Sequence, residues 1–197
     1  MSDKFQDKYR IPSTRLQNWD YGSNAIYFVT ICTQGRELYF GEIAKKKMVL
    51  SEIGEMADLF WNEIPKHFPF VELCEYVVMP NHVHGIIIID KPNGGNGKAI
   101  GNAIVETDFV ETQNFASLRP QQHHQVNAFG PQSQNLASII RGYKTGVKKY
   151  ATINRIDFAW QPRFHDHIIR NNDSLNRIAN YILNNPLNWA EDKFFMP

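Results

Sequence analysis

Cysteine is scarce in this chain. Cys32 and Cys74 are its only two in 197 residues, far apart and each in an apolar, strand-like context. They form no CxxC pair, which argues against a zinc knuckle or a dithiol redox motif. Two buried, reduced thiols are the expectation. The first ten residues, MSDKFQDKYR, contain no apolar signal region, and no apolar run approaches the length of a membrane span. A GxxxxGK phosphate loop is also missing. Charge of either sign is nearly balanced, with a formal net charge of +1 and a pI near 7.8. That is a weak footprint for a nucleic-acid binder, which usually carries a basic surplus. A soluble, cytoplasmic protein is expected.

What the chain does have is a core. Its apolar content of 43% supports a single domain over residues 1–197. Residues 1–25 read as an extended arm. IYFVTICT (26–33) is β-branched and aromatic, and reads as a strand. Short extended pieces are expected at 37–41 and 48–50. From Ser51, a candidate N-cap, the 3-4 spacing of Ile53, Met56, Ala57, Phe60, Trp61 and Ile64 predicts a helix, closed by Pro65 and Pro69. Residues 71–79 and 82–90 read as two strands joined by Pro80-Asn81, a natural hairpin. Residues 91–134 are rich in Gly, Asn and Gln and read as a long polar insertion; His123-His124 within it reads as solvated. A helix follows over 136–154, with an apolar stripe of Ile139, Ile140, Tyr143, Val147 and Tyr150. A strand is expected at 159–169. A last helix, capped by Asn171 or Asn172, carries Leu175, Ile178, Ala179 and Ile182 and ends at Pro186. The order matches the β-α-β-β-α-β unit, an antiparallel sheet with helices on one face and the other face left for a site.

The most informative stretch is Met79-Pro80-Asn81-His82-Val83-His84-Gly85, running into four isoleucines. In a strand, residues two apart share a face. His82 and His84 therefore stand side by side while Val83 turns into the opposite layer. Two neutral imidazoles on one face can hold a divalent ion. With a third protein ligand, coordination positions remain open for metal-assisted phosphoryl chemistry. Two half-exposed polar residues beside a core would give the same pattern.

The last helix offers a second feature. Arg177, Tyr181 and Asn185 recur at intervals of four and share one face. A phenol has a pKa of roughly 10 and needs a nearby cation or base to attack phosphorus. The amide oxygen of Asn185 suits a hard ion such as Mg²⁺ or Mn²⁺. Asn185 precedes Pro186, so Asn184 is the fallback ligand. A tyrosine at the border of an apolar stripe is the competing reading of Tyr181. Tyr143 and Tyr150 are rival tyrosines that sit better in a core. His165-Asp166-His167 looks like a second cluster and is given a structural or DNA-facing role. Lys4, Lys8, Arg10 and Arg15 form one basic group, and Lys144, Lys148, Lys149 and Arg155 another; both also fit ordinary solvated faces.

Taken together, these segments resemble the HUH single-tyrosine transposases, in particular the REP-associated tyrosine transposase group of the insertion-sequence transposase-like superfamily. The resemblance is carried by Asp20-Tyr21 before YFVTICTQGR (27–36), then MPNHVHG (79–85), LASIIRGYK (136–144), WQPRFHDHIIR (160–170) and LNRIANYILNNPLNW (175–189). It implies a ferredoxin-like α+β fold with a tyrosine-bearing C-terminal helix. It also implies metal-dependent cleavage and transfer of single-stranded DNA, near a hairpin, in transposition. By the same resemblance, His82 and His84 are the ligands of a Mg²⁺ or Mn²⁺ ion and Asn185 the third. Tyr181 takes the 5′-phosphate of the cut strand. Arg177, Lys144, Lys148, Arg10 and Arg15 become candidate DNA contacts. A domesticated protein that binds single-stranded or hairpin nucleic acid without cutting is the alternative. A homodimer and a monomer are both compatible with the resemblance.

Overall fold

The computed structural model describes residues 15–16, 19–92 and 133–195, with the backbone of two short strands, β1 (Lys4–Phe5) and β2 (Lys8–Tyr9). Arg10 and residues 93–132, which hold His123-His124 and most of the predicted insertion, lie outside the described residues. The β-branched run expected at 26–33 forms β3 (Ala25–Cys32). The second extended piece, expected at 48–50, is β5 (Lys47–Leu50); its hairpin partner β4 (Gly41–Ala44) begins only where the first piece, expected at 37–41, was to end. The hairpin's two-residue turn places both Lys45 and Lys46 at positive φ, 51° and 63°. That is the left-handed geometry a tight hairpin demands, here without the usual Asn or Gly.

Ser51 caps α1 (Glu52–Asn62) by accepting the Gly54 N–H. Pro65 does not stop the helical path; it sits in the first turn of α2 (Ile64–His67), where a missing N–H costs nothing. β6 (Val71–Met79) and β7 (His82–Ile89) pair as the predicted hairpin. α3 (Leu136–Ile153) begins with a reciprocal cap between Asn135 and Ser138. β8 (His165–Ile169) is shorter than the strand expected at 159–169. Just before it an isolated bridge joins Thr33 to Trp160, and Phe158 and Trp160 pack into the core. α4 (Asn172–Asn184) is capped by Asn171, which accepts the Ser174 N–H at 2.8 Å.

The four long strands form an antiparallel sheet in the order β6-β7-β3-β8. With α1 and α3 as connections, this is the β-α-β-β-α-β arrangement. One face of the sheet presents Tyr27, Val29, Ile31, Val83, Ile87 and Ile89 to Trp61 of α1 and to Ile139, Tyr143 and Val147 of α3. Burial of each such side chain contributes roughly 1.5–3 kcal/mol. Tyr143 is part of this core, 5.3 Å from Trp61 ring to ring, and burial holds its phenol well above the usual range. Tyr150, half-buried, packs against the edge of this core and donates to Glu52. The opposite face presents Ile26, Ile86 and Ile88, and α4 covers them with Leu175 and Ile182. The helices of the predicted unit thus lie on one face, and the tyrosine helix occupies the other.

Gly85 has a steric reason. A Cβ there would stand 2.1 Å from the Trp61 ring. The indole therefore packs directly against the back of the strand whose front carries the histidines.

Candidate active site

Period-two geometry puts His82 and His84 on the α4 face of β7, and Val83 is fully buried in the other layer. The two imidazole rings are 4.4 Å apart. Both are closed off from solvent, at 0% and 1% exposure. Burial drives their pKa values down, His82 well below the usual 6.5 and His84 to about 3. Both rings are therefore neutral near pH 7, the state a metal ion needs.

Each ring is held by a neighbour. His82 Nδ1 lies 2.8 Å from Asn81 Oδ1, an acceptor, so Nδ1 carries the proton and Nε2 presents a lone pair. Asn81 is itself fixed: its Nδ2 donates to the Phe194 carbonyl, and its own carbonyl accepts from Thr33. The sequence signalled only a turn at this asparagine; its role in aiming a histidine needed the fold. His84 Nδ1 lies 2.9 Å from Thr30 Oγ1 and its Nε2 lies 3.2 Å from Tyr181 Oη.

Tyr181 is the border residue of the α4 stripe, 41% exposed, with its phenol turned toward the histidines. Its Oη also donates to Asp192 Oδ2 at 3.1 Å. Burial and the Asp192 charge push its pKa up to about 12. Asn185 is helical at φ −59° and ψ −43° in spite of Pro186, and is 2% exposed. Its Nδ2 donates to the same Asp192 oxygen at 2.8 Å. Asn184, the fallback, is exposed and donates back to Asn180.

Asp192 is the residue that sequence reasoning missed. It follows a short 3-10 turn, Trp189–Glu191, beyond the last helix. No periodicity marks it. One ligand atom each from His82, His84 and Asp192 lie within 4.8 Å of one another. His82 Nε2 and Asn185 Oδ1 are buried without a hydrogen-bond partner. Orphaned acceptors of this kind beside a carboxylate fit a divalent ion. Phe194 closes the pocket, its ring 4.5 Å from His82.

The other candidate residues lie elsewhere. Arg177 is exposed on α4, near Ser174. Lys144 and Lys148 do not stand off into solvent: their ammonium groups reach carbonyls of the segment before β8, Gln161 and Arg163 for Lys144 and Phe158 for Lys148. Arg15 stacks on Tyr21 and Phe164 and lies 3.9 Å from buried Asp166. The His165-Asp166-His167 motif is thus divided by the strand. Asp166 faces inward under the arm, while His165 and His167 are exposed and pair with Thr30 and Phe28 on the face of His84.

No family model matches the chain. It is 36% identical over 186 residues to an uncharacterised protein of Haemophilus influenzae, covering 93% of this chain and 92% of that one. A second Haemophilus influenzae protein, provisionally named as a REP-associated tyrosine transposase, is 24% identical over 168 residues, 85% of this chain and 73% of its own length. Among solved structures, a REP-associated tyrosine transposase bound to a REP hairpin superposes with a TM-score of 0.54 at 16% identity, over 93% of this chain and 77% of that one. The chain belongs to one family with the uncharacterised Haemophilus influenzae protein, and its fold is that of the REP-associated tyrosine transposases.

Proposed function

We propose that this protein cleaves and transfers single-stranded DNA at or near a hairpin, with Tyr181 as nucleophile. The observation that carries this reading is the convergence of a border tyrosine on two neutral, buried histidines, with its oxygen 3.2 Å from His84 Nε2. A purely structural tyrosine at the edge of α4 has no need of that arrangement. The fold shared with a hairpin-bound transposase supports the substrate class.

Tyr181 Oη attacks the phosphorus of a phosphodiester. The Oη–P bond forms and the bond from phosphorus to the 3′ oxygen breaks. The phenolic proton passes to the Asp192 carboxylate, 3.1 Å away, and the leaving 3′ oxygen takes up a proton from solvent. The 5′ side of the cut remains as a phosphotyrosine, so a later attack by a 3′-hydroxyl rejoins strands without ATP. His82, His84 and Asn185 Oδ1 would hold Mg²⁺ or Mn²⁺. A hard divalent ion there supplies Lewis-acid polarisation of a non-bridging phosphate oxygen. Asn81 and Thr30 fix the ring orientations, which keeps both Nε2 atoms turned inward.

A second reading of the ligand set has its own observation, the proximity of Asp192 to both histidines. Titration with Mn²⁺ separates the two. Loss of affinity in Asn185→Ala with retention in Asp192→Asn assigns the amide; the reverse assigns the carboxylate. The reaction itself is tested with labelled hairpin oligonucleotides and Mn²⁺. Tyr181→Phe is expected to bind them and leave them uncut. Undiminished cleavage by that variant would remove Tyr181 from the mechanism.

A further inference from the structure

The outer side of α3 and the segment leading into β8 enclose an open groove of about 580 Å³. Arg141, Lys144, Lys148, Lys149 and Arg163 line its walls, and no carboxylate does. Ile140, Ile153 and Phe164 contribute an apolar floor, and Ile153 is 68% exposed. Among the described residues, none of Arg141, Lys149 and Arg163 is in an ion pair. The helical spacing of Arg141, Lys144 and Lys148 ranks these cations along one side.

We propose that this groove holds an unpaired stretch of nucleic acid flanking the cleavage position. The inference rests on the strand-cleaving reading and assigns it a second surface, remote from the histidines. Charge complementarity selects a polyanion. The apolar floor selects one with exposed flat faces: bases of a single strand can lie on Phe164 and Ile153 while phosphates meet the cations. A duplex hides its base faces and cannot use that floor. Connection to the active site is short in sequence. Arg163 and Phe164 run straight into His165, which pairs with Thr30, whose hydroxyl meets His84. A strand leaving the groove crosses the edge strand β8, past exposed His165 and His167, to reach Tyr181.

The test uses the full chain and a fluorescein-labelled oligo(dT) of about ten nucleotides, read by anisotropy over a salt series, with a blunt duplex of the same length alongside. Each phosphate contact contributes about 0.7 to the slope of log affinity against log salt on single strands. Arg141→Glu with Lys149→Glu and Arg163→Glu is expected to lower that slope by about 2. Ile153→Ser is expected to weaken oligo(dT) binding several-fold and leave the slope unchanged. Duplex binding should be insensitive to Ile153→Ser. Unchanged affinity and slope in the triple variant would overturn the proposal, as would equal losses on the duplex and the single strand in Ile153→Ser. Wild-type cleavage activity is scored in parallel. Cleavage with no groove dependence of binding removes the groove alone, and groove-dependent binding without cleavage removes the enzyme reading alone.

Discussion

Two buried neutral histidines leave a signature in stability. The folded protein keeps His84 unprotonated down to about pH 3, and His82 shifts in the same direction. The unfolded chain protonates both near pH 6.5. Below that value the unfolded state therefore binds more protons, and stability falls as pH drops toward 3. The slope reaches roughly 1.4 kcal/mol per pH unit for each histidine. Urea denaturation of metal-free protein at pH 7 and pH 5 measures it; His84→Asn should flatten the profile, and a flat wild-type profile would contradict the burial. Asn81 gives a second expectation at this scale. Asn81→Ala removes the acceptor that directs His82 Nε2, and Mn²⁺ affinity measured by calorimetry should drop roughly tenfold to a hundredfold. Unaltered affinity would mean that Asn81 serves the turn alone. The histidine pair was readable from the period of a strand, and Tyr181 with Asn185 from the period of a helix. Asp192 was not, because it reaches the site by the path of an irregular segment after Pro186.

At the level of elements, β7 has to serve two layers at once. Its front carries the histidines and its back accepts the Trp61 indole over Gly85. Gly85→Ala would push a methyl into that ring, and overpacking of this kind costs about 1–3 kcal/mol. Chemical denaturation should record that loss; a neutral result would show that α1 can shift away from the sheet without cost. Strands and helices with strong periodicity stood out in the sequence, as did the cap at Ser51, while the last helix left Asn171 and Asn172 as alternatives and the structure uses Asn171. The Lys45-Lys46 turn did not, because its left-handed residues are not the types that signal one. The span 159–169 looked uniformly extended, yet only its second half joins the sheet. Its first half is held instead by Lys144 and Lys148, cations that amphipathic patterning had assigned to a solvated face.

For the whole molecule, a balanced net charge conceals an uneven distribution. Cations gather along α3 and Arg163, the histidines are sealed under α4 and the C-terminal segment, and the sheet separates the two regions. No helix among the described residues is long and apolar enough to cross a membrane. The central claim is that Tyr181 becomes covalently joined to DNA. Its most direct measurement incubates the protein with Mn²⁺ and a pool of 3′-labelled single-stranded hairpin oligonucleotides, followed by denaturing gels and mass spectrometry of the digested adduct. The expected result is a label that survives SDS, maps to Tyr181, disappears in Tyr181→Phe and His82→Ala, and persists in Tyr143→Phe. Measurable hairpin binding with no adduct, or an adduct mapped to another residue, would contradict the account.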